Sequence, residues 1–327
     1  MKAKAALTCL LAVFLLGVTV LPGNMGLPAR ASEVQARERT AAAHQGAEEA
    51  LADGQLTPRA YLPLVLGHTR RSGKRSLMGL QLFSLNDAVF DKLVEAGPSW
   101  VRIPIHWAWI EPENTTPESY RWSAAFDEQL AKLGGRNVRI ILTLKDNPSW
   151  AATYPSGPID LVDMGELVEF MVAAVEHYSP APYYVTHWEF YNEPDNSEIW
   201  RAKNGGWGYF GPNPQAYVDI LSAVYAPMKA ADPEAQIVFG GIAYDNWTTE
   251  GGPFAKEFLD GVLQNGGGDF FDVMNFHYYL YFRDRWDPYG IGITGKVNAL
   301  REKLASHGVD KPFICTETSM WSDDLHG

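Results

Sequence analysis

Between Ser76 and Thr318 the chain alternates between two rhythms of apolar residues. Short runs rich in β-branched, aromatic and leucine residues predict strands at Leu77–Phe83, Trp100–Ile105, Val138–Leu144, Val185–Tyr191, Ile237–Gly240, Phe271–His277 and Phe313–Thr316. The third of these is an almost unbroken β-branched and leucine run, the pattern of a parallel strand buried on both faces. The segments between predict helices at Asn86–Ala96, Ala124–Leu133, Val162–Tyr178, Pro214–Ala231, Phe254–Leu263 and Val297–His307. Asn86 caps the first of them, and Gly134-Gly135 is expected to end the second.

Seven strand units in strict alternation with helices mean a parallel sheet, and the count favours a closed (β/α)8 TIM barrel of the α/β class over an open doubly wound sheet. No Gly-x-Gly-x-x-Gly follows the first strand, which weighs against a nucleotide-binding fold. After Glu317 too few residues remain for a further helix and strand, so the barrel, residues 76–327, is expected to be truncated before its eighth strand. The alternative is that another segment or chain supplies it, since unpaired strand edges are a liability. Leu62–Leu66 is extended in character, but too few residues separate it from Leu77 for a parallel crossover.

Residues 1–31 carry the marks of an export signal. Lys2 and Lys4 precede the apolar run Leu7–Val20, Pro22 and Gly23 break it, and Ala29-Arg30-Ala31 offers a small-x-small cleavage site. Residues 32–75 mix Ala, Glu, Gln and Arg and are expected to be a spacer, disordered or part helical. The expectation is a secreted protein, extracellular or in the cell envelope, with no membrane contact after signal cleavage. Of the 2 cysteines, Cys9 leaves with the signal, so Cys315 has no intrachain disulfide partner and reads as a buried small hydrophobe.

A net charge of −12 argues against nucleic acid or an anionic membrane as partner, because both need a basic patch. The 11 Trp, 15 Tyr and 15 Phe point elsewhere: some sit beside strand ends, where an indole face can stack on a sugar ring.

The chemistry gathers at those strand ends. Asn192 and Glu193 fall where the fourth strand stops and Pro194 forbids further pairing. A carboxylate projected from the C-terminal end of a strand is where a barrel of this type keeps its reactive groups. Asn192-Glu193-Pro194 after Trp188 resembles the acid/base strand of clan A glycoside hydrolases, which are retaining (β/α)8 enzymes. Four further pieces fit the same resemblance in the same order. Val101-Arg102-Ile103-Pro104-Ile105-His106-Trp107 is similar to the second strand, Tyr120-Arg121-Trp122 with Asp127 to the loop and helix that follow, Asn275-Phe276-His277-Tyr278-Tyr279 to the sixth strand, and Phe313-Ile314-Cys315-Thr316-Glu317-Thr318 to the seventh. The wording around both glutamates resembles families 39 and 5. The resemblance implies Glu193 as acid/base, Glu317 as nucleophile, Arg102 in support of the nucleophile and Asn192 on the sugar 2-hydroxyl.

Independently of any family, glycoside cleavage needs one carboxyl to protonate the leaving oxygen and another to attack or stabilise the anomeric carbon. Glutamates ending strands four and seven can converge across a barrel mouth. Glu193 would then need a raised pKa and Glu317 a lowered one, with Arg102 and Tyr279 supplying the latter. His106 and His277 are expected to position other groups, and Glu189 to support them. Trp109, Trp150, Trp207 and Trp321 stand open between core packing and sugar stacking. Lys145 could form a Schiff base as in a barrel aldolase, but no glycine-rich phosphate loop accompanies it. No His/Cys/Asp cluster has metal-ligand spacing, so neither metal nor cofactor is expected. The chain reads as a glycosidase acting on a β-linked oligo- or polysaccharide, the alternative being a non-catalytic carbohydrate-binding barrel or inactive fragment.

Overall fold

A computed structural model of the chain describes residues 12–15 and 77–319. Residues 32–75, expected as a spacer, most of residues 1–31, expected as a signal, and Trp321 lie outside the described residues. The strands are β1 (Ala12–Leu15), β2 (Met78–Gln81), β3 (Trp100–His106), β4 (Arg139–Lys145), β5 (His187–Phe190), β6 (Gln236–Val238), β7 (Met274–Tyr279) and β8 (Phe313–Ser319). Between them run α1 (Asp87–Ala96), α2 (Trp107–Ile110), α3 (Ala124–Gly134), α4 (Met164–Tyr178), α5 (Ile199–Asn204), α6 (Pro214–Ala231), α7 (Phe258–Gln264) and α8 (Ile293–Ser306).

The fold is α/β. Strands β2 to β6 pair parallel in chain order, and β7 pairs parallel with β8. β6 meets β7 through a parallel bridge between Val238 and Val273, and Phe239 N donates to Val273 O at 3.0 Å. The outer edge of β2 pairs antiparallel with β1, which also lies against β8. Exposed backbone donors and acceptors on a strand edge accept whatever extended segment reaches them. No eighth parallel strand joins β8 to β2 among the described residues.

The sheet is rolled. Laid flat, β3 and β8 would be five strand spacings, about 24 Å, apart. Instead Arg102 Nη1 on β3 is 3.5 Å from Glu317 Oε2 on β8. The two faces of the sheet carry separate apolar clusters. On the inner face Trp100, Ile141, Val238, Val273 and Ile314 pack together. On the outer face Val101, Ile103, Leu142, Trp188, Phe190, Phe276 and Cys315 pack under helices through Leu130, Phe170, Met171 and Leu221. Burial on both faces accounts for the continuous apolar runs in β3 and β4.

Local signals place the helix ends. The Asn86 side chain accepts from Val89 N at 3.1 Å, and Gly97 takes the left-handed conformation that stops α1 (φ 63°). α6 opens at Pro214 after Asn213, whose side chain caps Ala216 N.

Elsewhere the pattern misled. α3 does end at Gly134-Gly135 as expected, but not through a left-handed glycine: Gly135 is right-handed and the positive φ falls on Asn137 (64°). Gly134 is small for another reason: a Cβ there would lie 2.2 Å from the Pro182 carbonyl. The strand expected at Val185–Tyr191 is shortened at both ends to β5, Tyr191 leaving it at φ 62°. The helix expected from Phe254 starts at Phe258, Phe254 itself bridging to Asn196 and Trp247.

Candidate active site

Alternation along the strands builds a polar layer on top of the inner apolar cluster. Two residues beyond Trp100, Ile141, Val273 and Ile314 stand Arg102, Thr143, Asn275 and Thr316, on the same face of their strands. Glu189 on β5 joins them. Its Oε2 accepts from Arg102 Nε (2.6 Å) and Thr143 Oγ1 (2.7 Å). Its Oε1 accepts from Arg102 Nη2 (2.7 Å), Asn275 Nδ2 (2.8 Å) and Gly241 N (3.0 Å). Thr316 Oγ1 then donates to Asn275 Oδ1 (2.9 Å), and Arg102 Nη1 donates to Gln81 Oε1 (2.8 Å). Side chains from β2, β3, β4, β5, β7 and β8 are thereby tied into one buried network. A fork-to-fork guanidinium–carboxylate pair is the strongest and most directional of such contacts.

The expected support of Glu317 by Arg102 is present in a 3.5 Å contact. The principal partner of Arg102 is Glu189, and the contact with Glu317 is secondary. Arg102 Nη2 also donates to Asn192 Oδ1 at 2.9 Å. Because arginine only donates, this contact fixes the Asn192 amide and turns its NH2 to the other side. Glu189 and Asn192, which a regular strand would face oppositely, both reach Arg102 because the positive φ at Tyr191 breaks the alternation.

The two glutamates reach this layer by different backbone devices. Glu193 is itself left-handed (φ 47°), its N–H donates to Gly241 O at 3.0 Å, and it is 5% exposed. On β8 the register slips by one residue, so that Phe276 opposes Cys315 but His277 opposes Glu317. This bulge puts two successive β8 residues, Thr316 and Glu317, on the inner side. Regular alternation would leave Glu317 on the outer face with Phe313 and Cys315. The Glu317 side chain is 20% exposed.

His277 stands between the carboxyls, its Nδ1 3.1 Å from Glu193 Oε1 and 3.9 Å from Glu317 Oε2. It is fully buried, and a Cβ on Gly241 would lie 2.2 Å from its Nε2, so only glycine fits there. The Tyr279 hydroxyl donates to Glu317 Oε1. Burial raises the Glu193 pKa, and the His277 hydrogen bond only partly opposes it. Burial also works to raise that of Glu317, but the charges of His277 and Arg102 and the Tyr279 hydroxyl outweigh it and hold that carboxyl below its usual value. One acid is thus favoured protonated and the other ionised.

The remaining candidates divide. His106 pairs with Asp146 through Nδ1 at 2.6 Å and stacks on Trp109 at 3.8 Å, leaving that indole 69% exposed at the end of β3. Trp150 packs edge-on against Trp107 and donates its indole N–H to Glu111 O, a packing role. Arg201 lies over Trp207, 3.1 Å from its ring centroid. Tyr120 and Trp122 pack on Phe170, and Asp127 accepts from Tyr178 Oη, so this motif joins α3 to α4. Lys145 ends β4 close to Arg102 and Glu317, and burial followed by the Arg102 charge depresses its pKa. Asp195, which the motifs did not single out, is fully buried and accepts from Ala243 N and Tyr244 N; burial pushes its pKa up to about 7. Cys315 is a buried free thiol whose pKa burial pushes up to about 12.

No protein-family model and no curated protein matches the chain. Solved structures of glycoside hydrolases do. A family 39 β-xylosidase from Caulobacter crescentus is 18% identical, with a TM-score of 0.49 over 73% of this chain and 51% of that one. A family 39 glycoside hydrolase from Bacteroides cellulosilyticus is 19% identical, with a TM-score of 0.45 over 62% and 38%. A glucosidase from Croceicoccus marinus is 21% identical, with a TM-score of 0.46 over 71% and 46%. The chain therefore spans about half the length of these structures or less. What the site can do rests on its own residues.

Proposed function

We propose that the chain is a retaining glycoside hydrolase that cleaves a β-linked carbohydrate by double displacement. The observation that carries this reading is the pair of carboxyls on either side of His277, with pKa values pushed in opposite directions. The 3.1 Å and 3.9 Å legs from Nδ1 bound the distance between Glu193 Oε1 and Glu317 Oε2. That one oxygen–oxygen distance is no more than about 7 Å, a limit that admits the retaining spacing of about 5–5.5 Å between the carboxyls.

In the first step a Glu317 oxygen attacks the anomeric carbon. The bond to the leaving oxygen breaks, and Glu193 transfers its proton to that oxygen. In the second step Glu193, now a carboxylate, takes a proton from water as the water oxygen attacks the same carbon and releases Glu317. Arg102 and Tyr279 stabilise the Glu317 carboxylate before attack, and the Asn192 amide is turned to donate to the sugar. Two inversions return the starting configuration. Export through residues 1–31 belongs to the same proposal, and the N-terminus of the secreted chain would give the cleavage point.

A panel of aryl β-glycosides tests the reading. Turnover with the product anomer retained, observed by proton NMR, is the expected result. A chain that binds oligosaccharide but turns over no member of the panel would instead be a carbohydrate-binding barrel.

A further inference from the structure

Among the described residues Lys145 is an ammonium at the mouth with no hydrogen-bond partner. On β4 the inner face runs Ile141, Thr143, Lys145: Ile141 lies in the inner apolar cluster and Thr143 binds Glu189 in the polar layer. Lys145 is the next step up. It pairs in register with His106 of β3, whose Arg102 lies two inner positions below, and so stands above the polar layer rather than within it. Nearby, Arg102 donates to Glu189, Gln81 and Asn192, Asp146 pairs with His106, and Glu317 accepts from Tyr279. Among the described residues no acceptor lies within hydrogen-bond distance of Lys145 Nζ.

The Lys145 side chain is half-buried beside the Arg102 guanidinium, and burial and that like charge both depress its pKa. A group kept in that condition beside a reactive carboxylate is organised for a ligand. The three N–H donors match the oxygen of a sugar hydroxyl, and the Glu317 carboxylate beside it accounts for the cation without calling for an anionic sugar.

We propose that Lys145 is a substrate-binding residue that donates to a ring hydroxyl of the sugar held over Glu317, and so selects for glycosides bearing that hydroxyl. The assignment rests on the hydrolase reading. It differs from a Schiff-base role, because the lysine donates hydrogen bonds and forms no covalent bond.

The test is a substrate–enzyme cycle. kcat/KM is measured for the wild type, Lys145→Met and Lys145→Gln on a parent aryl glycoside and on its singly deoxygenated analogues at each ring position. On the parent the substitutions should lower kcat/KM by about 10- to 100-fold, the range for a hydrogen bond to a charged group. On one deoxy analogue the wild type should suffer the same loss and the variants should lose nothing further. A lysine that only supports the fold or Glu317 would produce an equal loss on every analogue, and that result overturns the assignment. Using both variants guards against one failing to fold. A wild type that turns over none of the glycosides removes the hydrolase reading and this assignment together, whereas turnover with a constant loss across the series removes only the assignment.

Discussion

The ends of β5 and β8 deliver the same side chain to the same place by opposite means, and the difference sets their chemistry. At β5 the chain leaves the sheet early, through left-handed Tyr191 and Glu193, and buries the carboxyl under a loop tied to Gly241. At β8 the chain stays in the sheet and gains one residue through the bulge, which leaves Glu317 partly open to the mouth and within reach of Arg102 and Tyr279. A left-handed non-glycine residue costs on the order of 1–3 kcal/mol and persists only where its surroundings enforce it. At Glu193 burial outweighs the hydrogen bond and charge of His277 and favours the neutral acid, whereas His277, Arg102 and Tyr279 together favour the anion at Glu317. The two backbone departures are therefore also two settings of acidity.

The largest effect should come from the β8 side. Glu317→Ala should lower kcat by about 10^4-fold or more, since the covalent route is lost. Added azide should restore turnover as a glycosyl azide of inverted configuration, identified by NMR. A retained azide product would transfer the nucleophile role away from Glu317. Glu193→Ala should cost about 10^2- to 10^4-fold with poor leaving groups and far less with activated aryl leaving groups, which need no protonation. Equal losses with both classes, measured as kcat/KM against leaving-group pKa, would erase the distinction between the two ends.

Gly241→Ala should disturb His277, which serves both carboxyls at once. A displacement on the order of 1 Å costs roughly 10^2-fold, and the loss should fall in kcat rather than KM. The smallest effect is a displacement of the pH profile. Activity needs Glu317 ionised and so rises with pH through its lowered pKa; it needs Glu193 protonated and so falls as pH passes its raised one. His277 lowers both values, so His277→Asn should move both limbs of the kcat/KM profile to higher pH. Movement of one limb alone would show that His277 serves only one of the glutamates.

Much of this was legible in the residues, and what escaped did so for definite reasons. Strand and helix order, the Asn86 cap and the Pro214 start follow from local chemistry, and the structure carries them. Glu193, Glu317, Arg102, Asn192, His277 and Tyr279 do lie together, while Trp150 turned to packing. The bulge could not be read, because a pattern of period two carries no mark of an extra residue until the partner strand is known. The central place of Glu189 escaped likewise, since all its partners are distant in sequence. Short helices α2 and α5 fell below the length at which periodicity can be recognised.

That distance has a consequence for how the molecule comes into being. The side-chain partners of Glu189 lie 46 to 87 residues away along the chain, on three different strands. No hairpin or single strand–helix–strand unit can satisfy its charge, so each loop must close before any contact repays the closure entropy. A half-rolled sheet would lack the β7 and β8 members of the network, Asn275 and Thr316, and leave its polar groups short of partners in an apolar setting. Assembly of the inner face is thus a late and concerted event, and the mouth acquires its reactive arrangement only when the whole sheet has curled.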